Sequence, residues 1–139
     1  MHQQISEVMT KDLVTLRASS SVSDAACAMR DQHIGNVLVT DEEGELLGIV
    51  TDRDLVVRVL AERLPGSTAL SQVCSKRPVA VAPDTSLEDA MILMSEHAIR
   101  RLPVLQNGRP VGIVSLGDLA VDDDPNTLLG RISQAPADL

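Results

Sequence analysis

The chain is one unit of about sixty-five residues written twice. Gly48-Ile49-Val50-Thr51-Asp52-Arg53-Asp54-Leu55 returns as Gly112-Ile113-Val114-Ser115-Leu116-Gly117-Asp118-Leu119, an apolar run ending in a hydroxyl residue with an aspartate three positions later. A shift of 65 (73 − 8) superposes Val8 on Val73, Lys11 on Lys76, Val14 on Val79, Ser21 on Ser86, Asp24 on Asp89, Ala25 on Ala90, Met29 on Met94, Ile34 on Ile99 and Val39 on Val104. With Glu42 as a one-residue insertion, an offset of 64 (112 − 48) then aligns Gly44 with Gly108, Gly48 with Gly112 and Asp54 with Asp118. A repeat of this period means one supersecondary unit built twice, so the fold has to be read per copy.

Size constrains how two copies can live together. At 139 residues the chain has the length of one ordinary domain, and either half alone is of a size that buries too little surface to be comfortably stable. The halves are therefore expected to share a core as one globule with a pseudo-twofold axis. Twelve Lys and Arg against twenty Asp and Glu leave a formal charge of −8. Without a cationic cluster, the acidic balance argues against nucleic acid and anionic membranes, whose binding depends on phosphate neutralisation. No apolar run approaches the roughly 18 residues of a membrane span, and Met1-His2-Gln3-Gln4-Ile5 lacks the marks of a signal peptide. A cytoplasmic location is the expectation.

Cys27 falls opposite Ile92 and Cys74 opposite Met9, so both cysteines read as small apolar packing residues rather than a disulfide or metal pair. His2, His33 and His97 form no H-x-x-x-H, and C-x-x-C is absent, which excludes the usual zinc spacings. Phe, Tyr and Trp are absent altogether. Any flat ligand has to be gripped by aliphatic side chains and backbone, because aromatic stacking is unavailable.

Each copy reads in the same order. A lead-in, Ile5 to Met9 or Leu70 to Cys74, spaces its apolar residues like one helical turn. A short extended piece follows, Leu13-Val14-Thr15-Leu16 or Pro78 to Ala82, and then a helix opened by Ser21-x-x-Asp24 or Ser86-x-x-Asp89. Two strands come next, Val37-Leu38-Val39 with Leu47 to Val50, and Leu102 to Leu105 with Val111 to Val114, joined by Gly-bearing turns. Pro103 suggests an edge or strand-entry position. The second helix starts at Asp52 or Leu116, running toward Arg63 in copy one and cut short by Asp122-Asp123-Asp124-Pro125 in copy two. The expected boundaries are repeat 1 at 5–64, a linker at 65–69, repeat 2 at 70–122 and a tail at 123–139 with a helical turn around Thr127 to Ile132. The fold class is α/β, two β-α-β-β-α units with three strands each.

The residues that carry chemistry are Thr51 with Asp54 and Ser115 with Asp118. A hydroxyl residue followed three positions later by an acid, at a strand-to-helix junction, is also what a capping box looks like, contributing about 1 kcal/mol. What favours a further role is recurrence after Gly-Ile-Val in both copies. A carboxylate there can accept hydrogen bonds from both hydroxyls of a ribose, while the hydroxyl and helix start favour nearby phosphate oxygens.

On these residues the repeat resembles the CBS domain, named for cystathionine β-synthase, and the tandem over residues 5–121 resembles a CBS pair, or Bateman module. The resemblance implies two repeats packed with pseudo-twofold symmetry and inter-repeat clefts that bind AMP, ADP, ATP, NAD or S-adenosylmethionine. By that resemblance Asp54 and Asp118 hold ribose, and Thr51 and Ser115 lie near ribose or phosphate. Val14 and Thr15, with Val79 and Ala80, read the adenine edge through backbone groups. Arg100 and Arg101, opposite Gly35 and Asn36, reach phosphates across the pseudo-twofold toward the ribose held by Asp54. A solvated pair of arginines is the plainer reading of the same two residues. Arg53, opposite Gly117, is a weaker candidate, expected to face solvent.

Three classes of function follow. The favoured one is a non-enzymatic, ligand-sensing regulatory module that needs no fixed cofactor, binds an adenosine-containing ligand and signals in trans to a protein partner, since the chain leaves no room for a catalytic or transport domain. The alternative is a structural or dimerisation adaptor whose motif serves only as helix caps. An enzyme has little support, because no nucleophile or metal set is arranged. The helices of copy one are apolar over more than one stripe, Ala25 to Met29 and Leu55 to Leu60, which predicts a homodimer.

Overall fold

The computed structural model describes residues 3–120 of the chain. The expected end of the second helix of copy two at Asp122 to Pro125 and the helical turn at Thr127 to Ile132 lie outside the described residues. Among those described, no helix is long and apolar enough to cross a membrane.

Two compact units form, and their boundaries differ from those of the repeats: Leu13–Pro78 makes the first, and residues 3–12 with 79–120 make the second. The lead-ins cause the difference. Ile5–Glu7, a 3-10 turn, buries Ile5 completely among Val81, Ala90, Met94, Leu102, Val104 and Val114 of copy two. Leu70–Gln72, the same turn in copy two, buries Leu70 with Val73 and Cys74 among Val22, Ala25, Met29, Val37 and Val50 of copy one. Each core thus draws residues from both halves of the sequence, and two cores form where the sequence suggested a single shared one.

The first unit holds a four-stranded sheet of β1 (Thr15–Arg17), β2 (Asn36–Thr40), β3 (Leu46–Thr51) and β4 (Ser75–Lys76), in that order. β1 runs parallel to β2, and the other neighbours are antiparallel. Helix α1 (Val22–Gln32) covers it, started by a full capping box in which Ser21 and Asp24 exchange bonds of 3.1 and 3.3 Å. Helix α2 (Asp52–Asp54) continues as π-helix over Leu55–Leu60. It stops short of Arg63, whose positive φ of 58° ends the helical run.

The second unit repeats this plan with less regular edges. Helix α3 (Leu87–His97) is followed by β5 (Arg101–Gln106), β6 (Arg109–Ser115) and α4 (Leu116–Ala120). Strands β5 and β6 pair antiparallel through a two-residue turn, Asn107-Gly108, with φ of 56° and 80°, the conformation for which Asn-Gly is favoured. In place of a first strand, Val81 alone bridges Val104. Thr10 bridges Ile113 where β4 pairs with β3 in the first unit. Pro103 is buried within β5, its carbonyl accepting from the Val81 amide at 3.0 Å, so it sits inside the strand rather than at its entry.

Candidate functional site

Thr51 closes β3 and Ser115 closes β6, and both motifs form complete capping boxes. The Thr51 amide donates to Asp54 Oδ2 at 2.8 Å, and the Asp54 amide donates to Thr51 Oγ1 at 3.1 Å. Ser115 and Asp118 repeat this at 2.8 and 3.2 Å. The caps hold both carboxylates half-buried at the strand ends. Asp54 Oδ1 also lies 3.7 Å from Arg58 Nε, while Arg58 Nη1 donates to the Val73 carbonyl at 2.9 Å.

The register places the other expected residues at the same end of each sheet. In the first unit Asn36 pairs with Thr51 on one side of β2, and Thr15 pairs with Leu38 on the other. The motif and the first strand therefore flank β2 at a separation of two interstrand spacings, about 10 Å. Val14 turns its carbonyl inward to the Leu38 amide at 3.1 Å. Along a strand these groups alternate sides, so the backbone of Thr15 faces the outer edge of the sheet. Val81 likewise exchanges bonds of 3.0 and 2.8 Å with Pro103 and Leu105, which turns the backbone of Ala80 outward, with Val79 one step nearer the motif end.

Arg100 and Arg101 lie beside the Ser115 motif of their own unit. The Leu116 amide donates to the Arg100 carbonyl at 2.8 Å, as the Asp52 amide donates to the Gly35 carbonyl at 3.0 Å. Arg101 is the cross-strand partner of Ser115, and both arginines are exposed. Arg53 is exposed too, as expected.

Two features escaped sequence reasoning. Asp52, taken only as a helix start, is exposed, and its Oδ2 lies 3.3 Å from where a Cβ on Gly35 would stand. Comparing Asp52 with its aligned partner Leu116 was the available signal. Cys27 is exposed on α1 rather than packed, because its position on the helix faces away from the buried Val22, Ala25 and Met29. Cys74 does pack as expected, and burial pushes its thiol pKa up.

A groove of about 610 Å³ in the second unit runs between Ala80, Val81 and Leu105 on one side and Asp89 and Ile92 of α3 on the other. Of the expected site residues only Ala80 borders it, and Ser115 and Asp118 do not. No group of three or more His, Cys, Asp or Glu among the described residues is arranged to hold a metal ion.

The model of the CBS domain family matches the chain twice, over residues 5–61 and 70–122. The CBS domain-containing protein YhcV of Bacillus subtilis is 40% identical over 126 residues, spanning 91% of this chain and 89% of that protein. The crystal structure of Hypoxic Response Protein I, which has two coordinated zinc ions, superposes with a TM-score of 0.80 at 28% identity, covering 88% of this chain and 100% of that one. A hexameric CBS-CP12 protein from bloom-forming cyanobacteria superposes with a TM-score of 0.76 at 31% identity, covering 89% and 74%.

Proposed function

The chain belongs to the CBS domain family, as a tandem of two repeats, and from that premise we propose that it is a regulatory module sensing an adenosine-containing ligand: AMP, ADP, ATP, NAD or S-adenosylmethionine. The observation that carries the reading is the shared strand-end geometry. In each unit a half-buried carboxylate and a hydroxyl stand across one intervening strand from outward-facing backbone groups, Thr15 in one and Ala80 in the other. A nucleoside spans such a gap. Its base edge pairs with the Thr15 or Ala80 backbone, and its ribose hydroxyls donate to Asp54 or Asp118. The caps occupy Oδ2 of each aspartate, and Oδ1 serves the ribose.

Ligand binding changes how the module meets a partner protein in trans, and the module itself acts as a homodimer. Self-association is supported by Val56, Val57 and Leu60, which leave 55%, 47% and 70% of their surfaces exposed along one helical segment. The cyanobacterial relative described above is itself hexameric.

The capping boxes favour a second reading. Because both aspartates are already engaged structurally, the same motif serves a purely structural adaptor equally well. Calorimetric titration with adenosine, AMP, ADP, ATP, NAD and S-adenosylmethionine separates the two. Saturable binding of at least one compound supports the sensor, and no saturable heat from any at millimolar concentration supports the adaptor.

A further inference from the structure

We infer that the groove of the second unit binds an organic cation with an aliphatic body, its hydrocarbon against Ile92, Leu93 and Leu105 and its charged head at the Asp89 carboxylate. Ser115 and Asp118 do not border this groove, so the site stands apart from the adenosyl reading.

The two copies differ where the groove is lined. The shift of 65 sets Ala82 on Arg17, Ile92 on Cys27, Leu93 on Ala28 and Leu105 on Thr40. Three of these exchanges give copy two a branched aliphatic side chain in place of a smaller one, and the fourth removes a cation. Among the described residues, Ile92 is the one large hydrophobic side chain of the second unit that is exposed, with 37% of its surface open. The volume of about 610 Å³ is that of a small-molecule pocket, in which apolar walls supply contact and a few polar groups fix orientation.

The polar groups set the sign of the charge. Asp89 is the only charged residue of the lining. Its counterpart Asp24 returns a bond to the Ser21 amide and completes a capping box, whereas in copy two only the Ser86 hydroxyl's half of the exchange forms, at 3.1 Å. The Asp89 carboxylate is thereby left without a hydrogen bond or ion pair among the described residues. Thr85 is already engaged, its hydroxyl accepting from the Ala82 amide at 3.0 Å. Residues 78–99 contribute Asp84, Glu88, Asp89 and Glu96, all exposed, and no Lys or Arg. Such a surface attracts cations and repels carboxylates and phosphates. Where copy one carries its own cation at Arg17, copy two has Ala82.

A methyl-resolved NMR titration with hexylammonium, hexanol and hexanoate tests the site, because the three probes share a chain and differ in charge. Hexylammonium at millimolar concentration should shift the Ile92, Leu93 and Leu105 methyl signals saturably, hexanol should bind about fivefold more weakly, and hexanoate should not bind. Asp89→Asn should bring hexylammonium down to the affinity of hexanol and leave hexanol unchanged. Ala82→Arg, which installs the residue of copy one, should also remove the preference for the cation. Should Asp89→Asn lower the melting temperature, Ala82→Arg carries the test alone, since Ala82 is exposed and lies outside the helix. No saturable shift with hexylammonium, equal binding of hexanoate, or a preference for the cation that survives both substitutions overturns the proposal. Groove methyl signals that move with protein concentration before any probe is added overturn it too, because a second copy then covers the groove.

Discussion

Gly48 packs against Cys74 so closely that a Cβ on the glycine would lie 2.8 Å from the cysteine sulfur and 2.6 Å from the Ser75 carbonyl oxygen. Met9 and the Thr10 carbonyl stand against Gly112 in the same way. The glycine that opens the repeated Gly-Ile-Val signature is therefore where each sheet admits the lead-in of the other copy. Gly48→Ala should lower stability by about 1–3 kcal/mol, because a backbone oxygen cannot yield as a flexible side chain can, and Gly112→Ala should cost less, because its tightest contacts are to the flexible Met9 side chain. Chemical denaturation reads this as a lower midpoint with an unchanged slope, and an unchanged midpoint would contradict the close packing.

Exchange of the lead-ins also governs how the chain can be divided. A cut between Pro65 and Gly66 leaves each fragment holding the lead-in that belongs in the other fragment's core. Neither fragment should unfold cooperatively alone, and mixing the two should restore a cooperative transition followed by circular dichroism. A cooperative transition from either fragment by itself would contradict the exchange.

The repeat made the elements legible: the order of strands and helices, the helix starts at Ser21 and Ser86, and the Asn107-Gly108 turn all follow from local pattern. Which core each lead-in joins was not legible, because the spacing of Ile5, Val8 and Met9 states that one face is apolar and not what covers it. The strand-end position of Thr51 and Ser115 was legible from the recurrence of their motif after Gly-Ile-Val. Arg101 could be named, but its place across from Ser115 depends on strand register, which hydrophobic pattern sets only once the pairing is known. Val79 to Val81 read as a strand on β-branched content, yet a single bridge forms at Val81.

The two cysteines should separate cleanly by reactivity. Cys27 is exposed, while burial holds the Cys74 thiol neutral above its ordinary value of 9.0. A thiol-disulfide reagent should label one site rapidly in the native protein and the second only on unfolding. The raised folded-state pKa means the native protein retains a proton that the unfolded chain loses, so this contribution to stability is intact below about pH 9 and falls as pH rises above it. Two rapidly labelled thiols, or a Cys74→Ala variant with the same loss above that pH, would contradict the assignment.

The exposed apolar segment gives a prediction about mass. Val57→Asp with Leu60→Asp should convert a homodimer to a monomer by light scattering at micromolar concentration, with little change in the melting temperature of each unit, since both side chains are largely outside the cores. A wild-type protein that is already monomeric would contradict the self-association proposed from this surface.

The central claim, that the hydroxyl-x-x-Asp pairs bind an adenosyl ligand beyond capping helices, is tested most directly by measuring affinity and stability together in Asp54→Ala and Asp118→Ala. Losing a charge-assisted bond to ribose should cost about 1.5–3 kcal/mol of binding, roughly ten- to a hundredfold in Kd at the altered site, while losing the cap costs about 1 kcal/mol of stability. Calorimetric titration of an adenosine-containing ligand, with a thermal melt of each variant, should show weakened binding to a still-folded protein. Variants that melt earlier and bind as the wild type does would contradict the claim and leave the motif as a helix cap alone.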